Sequence, residues 1–366
     1  MPNLLFIMTP GTSLSDWLNN GSFIREMRPY VKYAQSGFRV RIVSFGVEKY
    51  NIPNLHTNID VVSVKRGMLN AHLLPFTCAT HFRWADVVKT NQSYLSWIFA
   101  FASRVYHKPF LLRCGYVRGE YLETTSGNGF YTRFYKIFEG WAFRVADAVT
   151  VPTQELADWV GTNYYVPKSK TSIIPNWVDV SLFAPNVESE KVSNTIISVG
   201  RLHKDKRYSL LIDACALVPG SALTLIGEGP ERNALAERAK KLNVELHLPG
   251  IVSNESLPAF LHRSSVFALT SIREGHPKSV IEALACGMPC VAVRSIGIQN
   301  LLTHKHTAIL AEASPDSLAA ALKMILSDKE ISTGLAVRGR NFVVEKFGFD
   351  RIFADEFRIC TTLATS

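Results

Sequence analysis

Short apolar runs alternate with stretches of helical periodicity along the whole chain. Residues 4–8 and 39–44 are apolar enough to be buried strands, and between them residues 22–36 repeat their apolar positions at helical spacing, a βαβ opening. Further runs at 59–64, 87–89, 110–113 and 148–151 are read as strands, with a helix over 131–145. The scheme then starts again, with strands expected at 195–199, 222–226, 245–248, 266–269 and 289–293, each separated by helical sequence. Strands that are apolar at consecutive positions need cover on both faces, and helices alternating with them provide it. The pattern predicts the α/β class, with two parallel sheets in succession.

The periodicity lapses at 185–193, where Pro, Asn, Ser and Glu replace apolar positions. The lapse divides the chain into domains of residues 1–185 and 186–348, followed by a segment 349–366 in which Ile352, Phe353 and Phe357 make an apolar helical face. Domains of about 180 residues are large enough for cores of their own. With 47% hydrophobic and 19% charged residues, the composition is globular and excludes a disordered chain. The six cysteines form no CxxC pair and have no histidine at zinc-site spacing, so reduced thiols are expected rather than disulfides or a metal framework. Residues 1–8 lack the basic region and long apolar core of a signal peptide, and the apolar stretch around 97–102 is too short to cross a bilayer. A cytoplasmic protein is expected, meeting a membrane only from the side.

Charge distinguishes the two halves. The net charge is +9, and residues 1–180 hold 19 Lys and Arg against 12 Asp and Glu, whereas the remainder is nearly balanced. Together with Trp97, Tyr131, Phe134 and Tyr135, this bias fits an anionic membrane surface or a phosphorylated lipid acceptor. A solvated basic face with the aromatics turned into the core would give the same spacing. Nucleic acid is not an expected partner, because no nucleic-acid module is present.

The densest chemistry lies at 271–293. Two carboxylates, Glu274 and Glu282, bracket a helix start: Pro277 has a φ suited to a first turn, Val280, Ile281 and Leu284 make an apolar stripe, and Gly287 and Pro289 stop the helix. The N–H groups of Lys278 and Ser279 and the positive end of the helix dipole would face an anion above Glu274, Gly275 and His276. A diphosphate fits such a place.

This segment resembles the signature of retaining glycosyltransferases of the GT-B fold, the family-4 type, in which a glutamate, seven residues and a second glutamate recur. Three more motifs follow the same resemblance: Gly200 and Arg201 with Lys206; Gly227, Glu228 and Gly229; and Ile174, Pro175, Asn176 and Trp177 leading to Asp179, Phe183 and Pro185. The match runs from about residue 146 to 349 and is weaker before that. It implies two Rossmann-like domains facing across a cleft, the first for the acceptor and the second for a nucleotide-sugar donor, with the C-terminal helix crossing back to the first.

The resemblance also implies roles. Arg201 and Lys206 would clamp the diphosphate, and cations at a helix start, where the dipole disfavours them, are otherwise hard to explain. Glu282 would accept from the ribose hydroxyls and Glu274 would hold the transferred sugar, while Gly275, His276, Pro277, Lys278 and Ser279 line diphosphate and sugar. His276 is also a candidate base. Gly200, Gly227 and Glu228 would border the nucleotide, and Gly21 would approach the phosphates from the first domain. Four positions depart from the family: Trp177 and Arg207 stand where glycine is usual, Gly21 is followed by Ser22 instead of a second glycine, and no histidine follows Arg113.

The expected reaction moves a sugar from a nucleoside diphosphate to a hydroxyl of a saccharide or lipid-linked saccharide, in polysaccharide or glycolipid synthesis. No Asp-x-Asp cation motif occurs, so no metal and no other cofactor is expected, the cations and helix dipole neutralising the leaving group. Retention is commonly explained in that family by front-face attack with the departing phosphate as base, and it requires no protein nucleophile. Two other readings share the fold. A nucleotide-sugar epimerase would need acid and base carboxylates in the cleft, and a non-catalytic nucleotide-sugar-binding subunit would keep the ribose carboxylate but lose the cations.

Overall fold

The computed structural model describes residues 1–46, 55–127, 129–186 and 192–365; part of the expected boundary, 187–191, lies outside the described residues. The chain forms two units, Met1–Pro175 with Phe353–Ser366, and Asn176–Ile352. The change of unit thus falls between Pro175 and Asn176, ten residues before the expected 185. The reason is packing. Val178 and Phe183 are buried in the core of the second unit, and Val178 N–H donates to Phe347 O at 2.9 Å.

In the first unit seven parallel strands, β1 (Asn3–Ile7), β2 (Arg39–Phe45), β3 (Ile59–Val64), β4 (Val87–Thr90), β5 (Phe110–Arg113), β6 (Ala148–Val151) and β7 (Thr171–Ile173), lie in the order 3-2-1-4-5-6-7. Leu4, Leu5, Phe6 and Ile7 of the interior strand β1 are fully buried, as cover on both faces requires. The helix Phe349–Thr365 extends beyond the expected apolar face and contributes residues from 353 onward to this unit. There Phe353 and Phe357 pack on Tyr33, with ring centroids 4.9 and 5.6 Å away.

A buried ion cluster fixes that helix. Lys89 Nζ lies 2.7 Å from Glu356 Oε1, Arg113 Nε lies 3.3 Å from Glu356 Oε2, and Tyr33 Oη donates to Oε1 at 3.3 Å. Lys89 is almost fully buried, under the rings of Tyr30 and Tyr33. Burial pushes the Glu356 carboxyl up, but Lys89 and Arg113 outweigh it and hold the group below the usual carboxylate range.

In the second unit six parallel strands, β8 (Thr195–Val199), β9 (Ala222–Ile226), β10 (Glu245–Gly250), β11 (Val266–Leu269), β12 (Cys290–Val293) and β13 (Ile309–Ala311), lie in the order 10-9-8-11-12-13. Consecutive residues alternate between two buried layers: Ile196, Ala268 and Val291 belong to one, Ile197, Phe267 and Ala292 to the other. The chain order reverses between β8 and β11, where a doubly wound sheet opens a crevice at the carboxyl ends of its strands. All six cysteines are buried and none is in a disulfide. Among the described residues no helix is long and apolar enough to cross a membrane.

Candidate active site

The loops that follow β8, β9, β11 and β12 meet at one end of the second sheet. Beyond β8, Gly200 N–H donates to Ile226 O and Leu202 N–H to Glu228 O, both at 2.9 Å, so the 200–202 and 226–228 loops run in backbone contact. That approach needs glycine at 227. Its φ is +136°, and a Cβ there would overlap the carbonyl of Gly200. The Glu228 side chain is turned to Arg232, 2.7 Å away on the surface, and only its backbone serves the loop contact.

Arg207 explains its own departure from the family. It has φ +50°, the left-handed region for which glycine is the usual residue, and its guanidinium donates from Nε to Thr270 O at 2.9 Å and from Nη2 to Ser271 O at 3.3 Å. Thr270 Oγ1 donates back to Lys206 O at 2.7 Å, and Ile272 N–H to Asp205 O at 2.9 Å. Four hydrogen bonds thus lace the loop after β8 to the loop after β11. They bring together two residues 68 positions apart: Lys206 Nζ lies 2.5 Å from Glu274 Oε1, which also accepts from Ser271 Oγ at 2.6 Å. Both side chains of the pair are mostly buried.

Arg201, two residues beyond the end of β8, is exposed, and its guanidinium has no hydrogen-bond or ionic partner among the described residues. It is an uncommitted cation in the same loop as Lys206. The backbone of Glu274 is held from the β12 side, where its N–H donates to Ile296 O at 3.1 Å and where any Cβ at Gly297, φ +87°, would overlap the Glu274 carbonyl.

Gly275 is exposed and His276 is buried. The His276 ring stands edge-on to Phe347, centroids 4.7 Å apart, and neither ring nitrogen has a hydrogen-bond partner among the described residues. Burial pushes its pKa down to about 4, so the ring is neutral at neutral pH. Its carbonyl accepts from Asn176 Nδ2 at 2.7 Å, and the asparagine of the 174–177 motif thereby fixes the turn before the helix. Trp177, in place of the usual glycine, packs its ring against Phe349 at 4.5 Å.

The helix spans Lys278–Ala285, one residue later than expected. Pro277 stands outside it at the cap, its ψ of 110° extended, so Lys278 and Ser279 form the first turn, where amide N–H groups have no acceptor within the helix. Glu282, one turn on, is buried and accepts from Asn254 Nδ2 at 3.2 Å. Asn254 is itself buried, and nothing in the sequence singles it out, because a single loop asparagine has no pattern. The sheet therefore brings Gly200, Arg201, Lys206, Gly227, Glu228 and Glu274 to one edge, together with the helix start and Glu282. Gly21 lies in the first unit, in the turn before the helix Phe23–Gln35, with φ +68°. Arg113, the residue that no histidine follows, is committed to Glu356 and to Asn91 Oδ1 at 3.0 Å.

Comparison with known proteins extends this picture. Residues 183–342 match the family model described as glycosyl transferases group 1, and residues 32–182 the model described as glycosyltransferase family 4. The UDP-Gal:alpha-D-GlcNAc-diphosphoundecaprenol alpha-1,3-galactosyltransferase of Escherichia coli is 24% identical over 331 residues, 86% of this chain and 83% of that protein. The fold is similar to that of sucrose-phosphate synthase from Thermosynechococcus elongatus, with a TM-score of 0.81 at 19% identity over 100% of both chains. It is also similar to Anabaena HepE in complex with UDP-glucose, with a TM-score of 0.76 at 17% identity over 99% of this chain and 100% of that one.

Proposed function

Since the chain belongs to the family-4 glycosyltransferases of the GT-B fold, with the group 1 signature in its second half, we propose that its second unit holds a nucleoside-diphosphate sugar over the carboxyl ends of β8, β9, β11 and β12. The observation that carries this reading is the contact between Lys206 and Glu274, which joins the two loops bearing the cations and the paired carboxylates. Glu282, which accepts from Asn254 Nδ2, takes the ribose hydroxyls, a role suited to a carboxylate as a bidentate acceptor. The diphosphate lies against Arg201, Lys206 and the first-turn amides of the helix Lys278–Ala285, where both the cations and the dipole favour an anion. Glu274 then faces the sugar.

As the bond to the anomeric carbon breaks, negative charge collects on the β-phosphate, and Arg201 is the group free to meet it. Transfer with retention follows, the leaving phosphate accepting the proton of the incoming hydroxyl. The acceptor is a saccharide or lipid-linked saccharide, a choice supported by the name of the E. coli relative, which acts on a diphosphoundecaprenol-linked sugar. No metal takes part, since arginine, lysine and helix dipole supply the positive charge.

A thermal-shift screen with a panel of nucleotide sugars identifies the donor, and turnover with that donor is then measured for Arg201→Ala. The rate is expected to fall by about two to three orders of magnitude with folding intact, the scale of losing one preorganised stabiliser of developing charge. Turnover is expected to be the same in EDTA as in Mg²⁺. A folded Arg201→Ala protein working at the wild-type rate, or activity lost in EDTA, overturns the assignment of the leaving-group site.

A further inference from the structure

On a surface helix the outward side is normally polar. Three helices of the first unit, Met68–Thr77, Ser96–Val105 and Phe130–Val145, reverse the rule. The middle one packs against both others, and Trp97 from it meets Tyr135 and Phe138 at ring-centroid distances of 5.0 and 5.9 Å. Tyr135 is buried and Trp97 half-buried, so these two of the four expected surface aromatics belong to the packing. What faces water is a different set. Phe130 is 87% exposed, Ile137 64% and Phe134 50% on the third helix, and Leu69 is 71% and Phe76 70% exposed on the first.

An apolar face this broad is not left bare on a protein without a partner, and its charges select the partner. The only carboxylate on the three helices is Glu139, and it is turned fully inward, accepting from the N–H of Gly119 at 2.8 Å and from Tyr164 Oη at 2.6 Å. Arg104, Arg133 and Arg144 are exposed. By helical spacing Arg133 and Arg144 border the stripe of Ile137, Phe130 and Phe134. Aromatic and aliphatic side chains bordered by arginines, with no outward carboxylate on the three helices and the neighbouring Glu123 paired with Lys136 at 2.8 Å, match the interface of an anionic bilayer, where rings enter at headgroup depth and cations meet lipid phosphate. We propose that this three-helix face docks the protein on an anionic membrane surface.

The proposal goes beyond sugar transfer, because vesicle binding reads this face whether or not a sugar moves. The full chain is tested by flotation with vesicles rich in phosphatidylglycerol and with vesicles of phosphatidylcholine alone. It is expected to float with the anionic vesicles and to be released as salt rises, exposed charges being screened within about 8 Å at physiological ionic strength. Phe134→Ser with Ile137→Ser should weaken binding by on the order of a hundredfold, two inserted side chains being removed. Arg133→Glu, a charge reversal, should weaken it by on the order of twentyfold. All three positions are exposed, so the variants should stay folded and turnover with a soluble acceptor should not change. Equal binding to both kinds of vesicle, binding to neither, or variants that float like the wild type would overturn the proposal. So would light scattering that shows a self-associated wild type which Phe134→Ser with Ile137→Ser returns to monomer, since the face would then be an interface between copies.

Discussion

The two carboxylates of the site should come apart under calorimetry. Glu282 is buried and accepts from Asn254 Nδ2 at 3.2 Å, and a carboxylate is the side chain suited to accept from two ribose hydroxyls at once. Glu282→Ala removes hydrogen bonds to a charged acceptor, worth about 1.5 to 3 kcal/mol, or roughly a tenfold to hundredfold rise in the Kd of the product nucleoside diphosphate. Glu274 differs in its partners, its Oε1 being held by the Lys206 ammonium and the Ser271 hydroxyl at 2.5 and 2.6 Å. Glu274→Ala leaves Lys206 uncommitted, and a diphosphate is the natural replacement anion. Its affinity for the nucleotide should stay the same or tighten, while transfer falls by about two to three orders of magnitude. Titration of both variants with the nucleotide selected by the donor screen decides the matter. Equal losses of affinity in the two, or none in Glu282→Ala, would refute the division of roles.

Two further outcomes test the fold. Glu356→Ala should destabilise the first unit by about 3 to 5 kcal/mol in urea unfolding, because it leaves Lys89 charged and buried without its counter-ion. Lys89→Met with Glu356→Leu should return to within about 1 kcal/mol of wild type, Arg113 remaining paired with Asn91. The Glu356 carboxyl is held below its ordinary value, so its contribution is present above the unfolded-state carboxylate pKa and disappears as pH falls through the folded value; unfolding midpoints measured across the acid range should show the wild type losing this increment and the double variant not. Gly227→Ala should cost at least about 2 kcal/mol, since it combines left-handed strain with overlap on Gly200. Gly37→Ala, with φ +94° and open space around it, should cost about 1 kcal/mol, and similar losses in the two would mean that the close approach of the 200 and 227 loops is not required.

Strands such as β5 and β8 are legible in the sequence because residues on both faces are apolar and Pro109 or Gly200 ends the run. The edge strands β7 and β13 are not: each has three residues, and in β7 two of them are Thr171 and Ser172. Composition places the change of unit too late for a related reason. Residues 176–185 have the make-up of a linker, yet Val178 and Phe183 are anchored by a core that only the folded chain assembles. In the site, the residue types are readable and their mutual commitments are not. Nothing at position 206 or 274 announces their ion pair, which depends on Arg207 adopting a left-handed backbone and tying two loops together. The aromatic positions near 131 stand out along the chain, but only packing decides that Tyr135 turns in and Phe134 out.

The order in which a ribosome delivers this chain gives the Glu356 cluster one more meaning. Residues 176–352 are contiguous, so that unit can close as soon as its own sequence has emerged, although it is made second. The first unit is made first and must wait. In the folded unit Glu356 answers the charge of the buried Lys89, and Phe353 and Phe357 pack on Tyr33, so its partners come from the last stretch of the chain to be made. A chain stopped short of residue 353 therefore loses more than a terminal helix, because Lys89 loses its counter-ion and Tyr33 its ring partners in the other half of the chain.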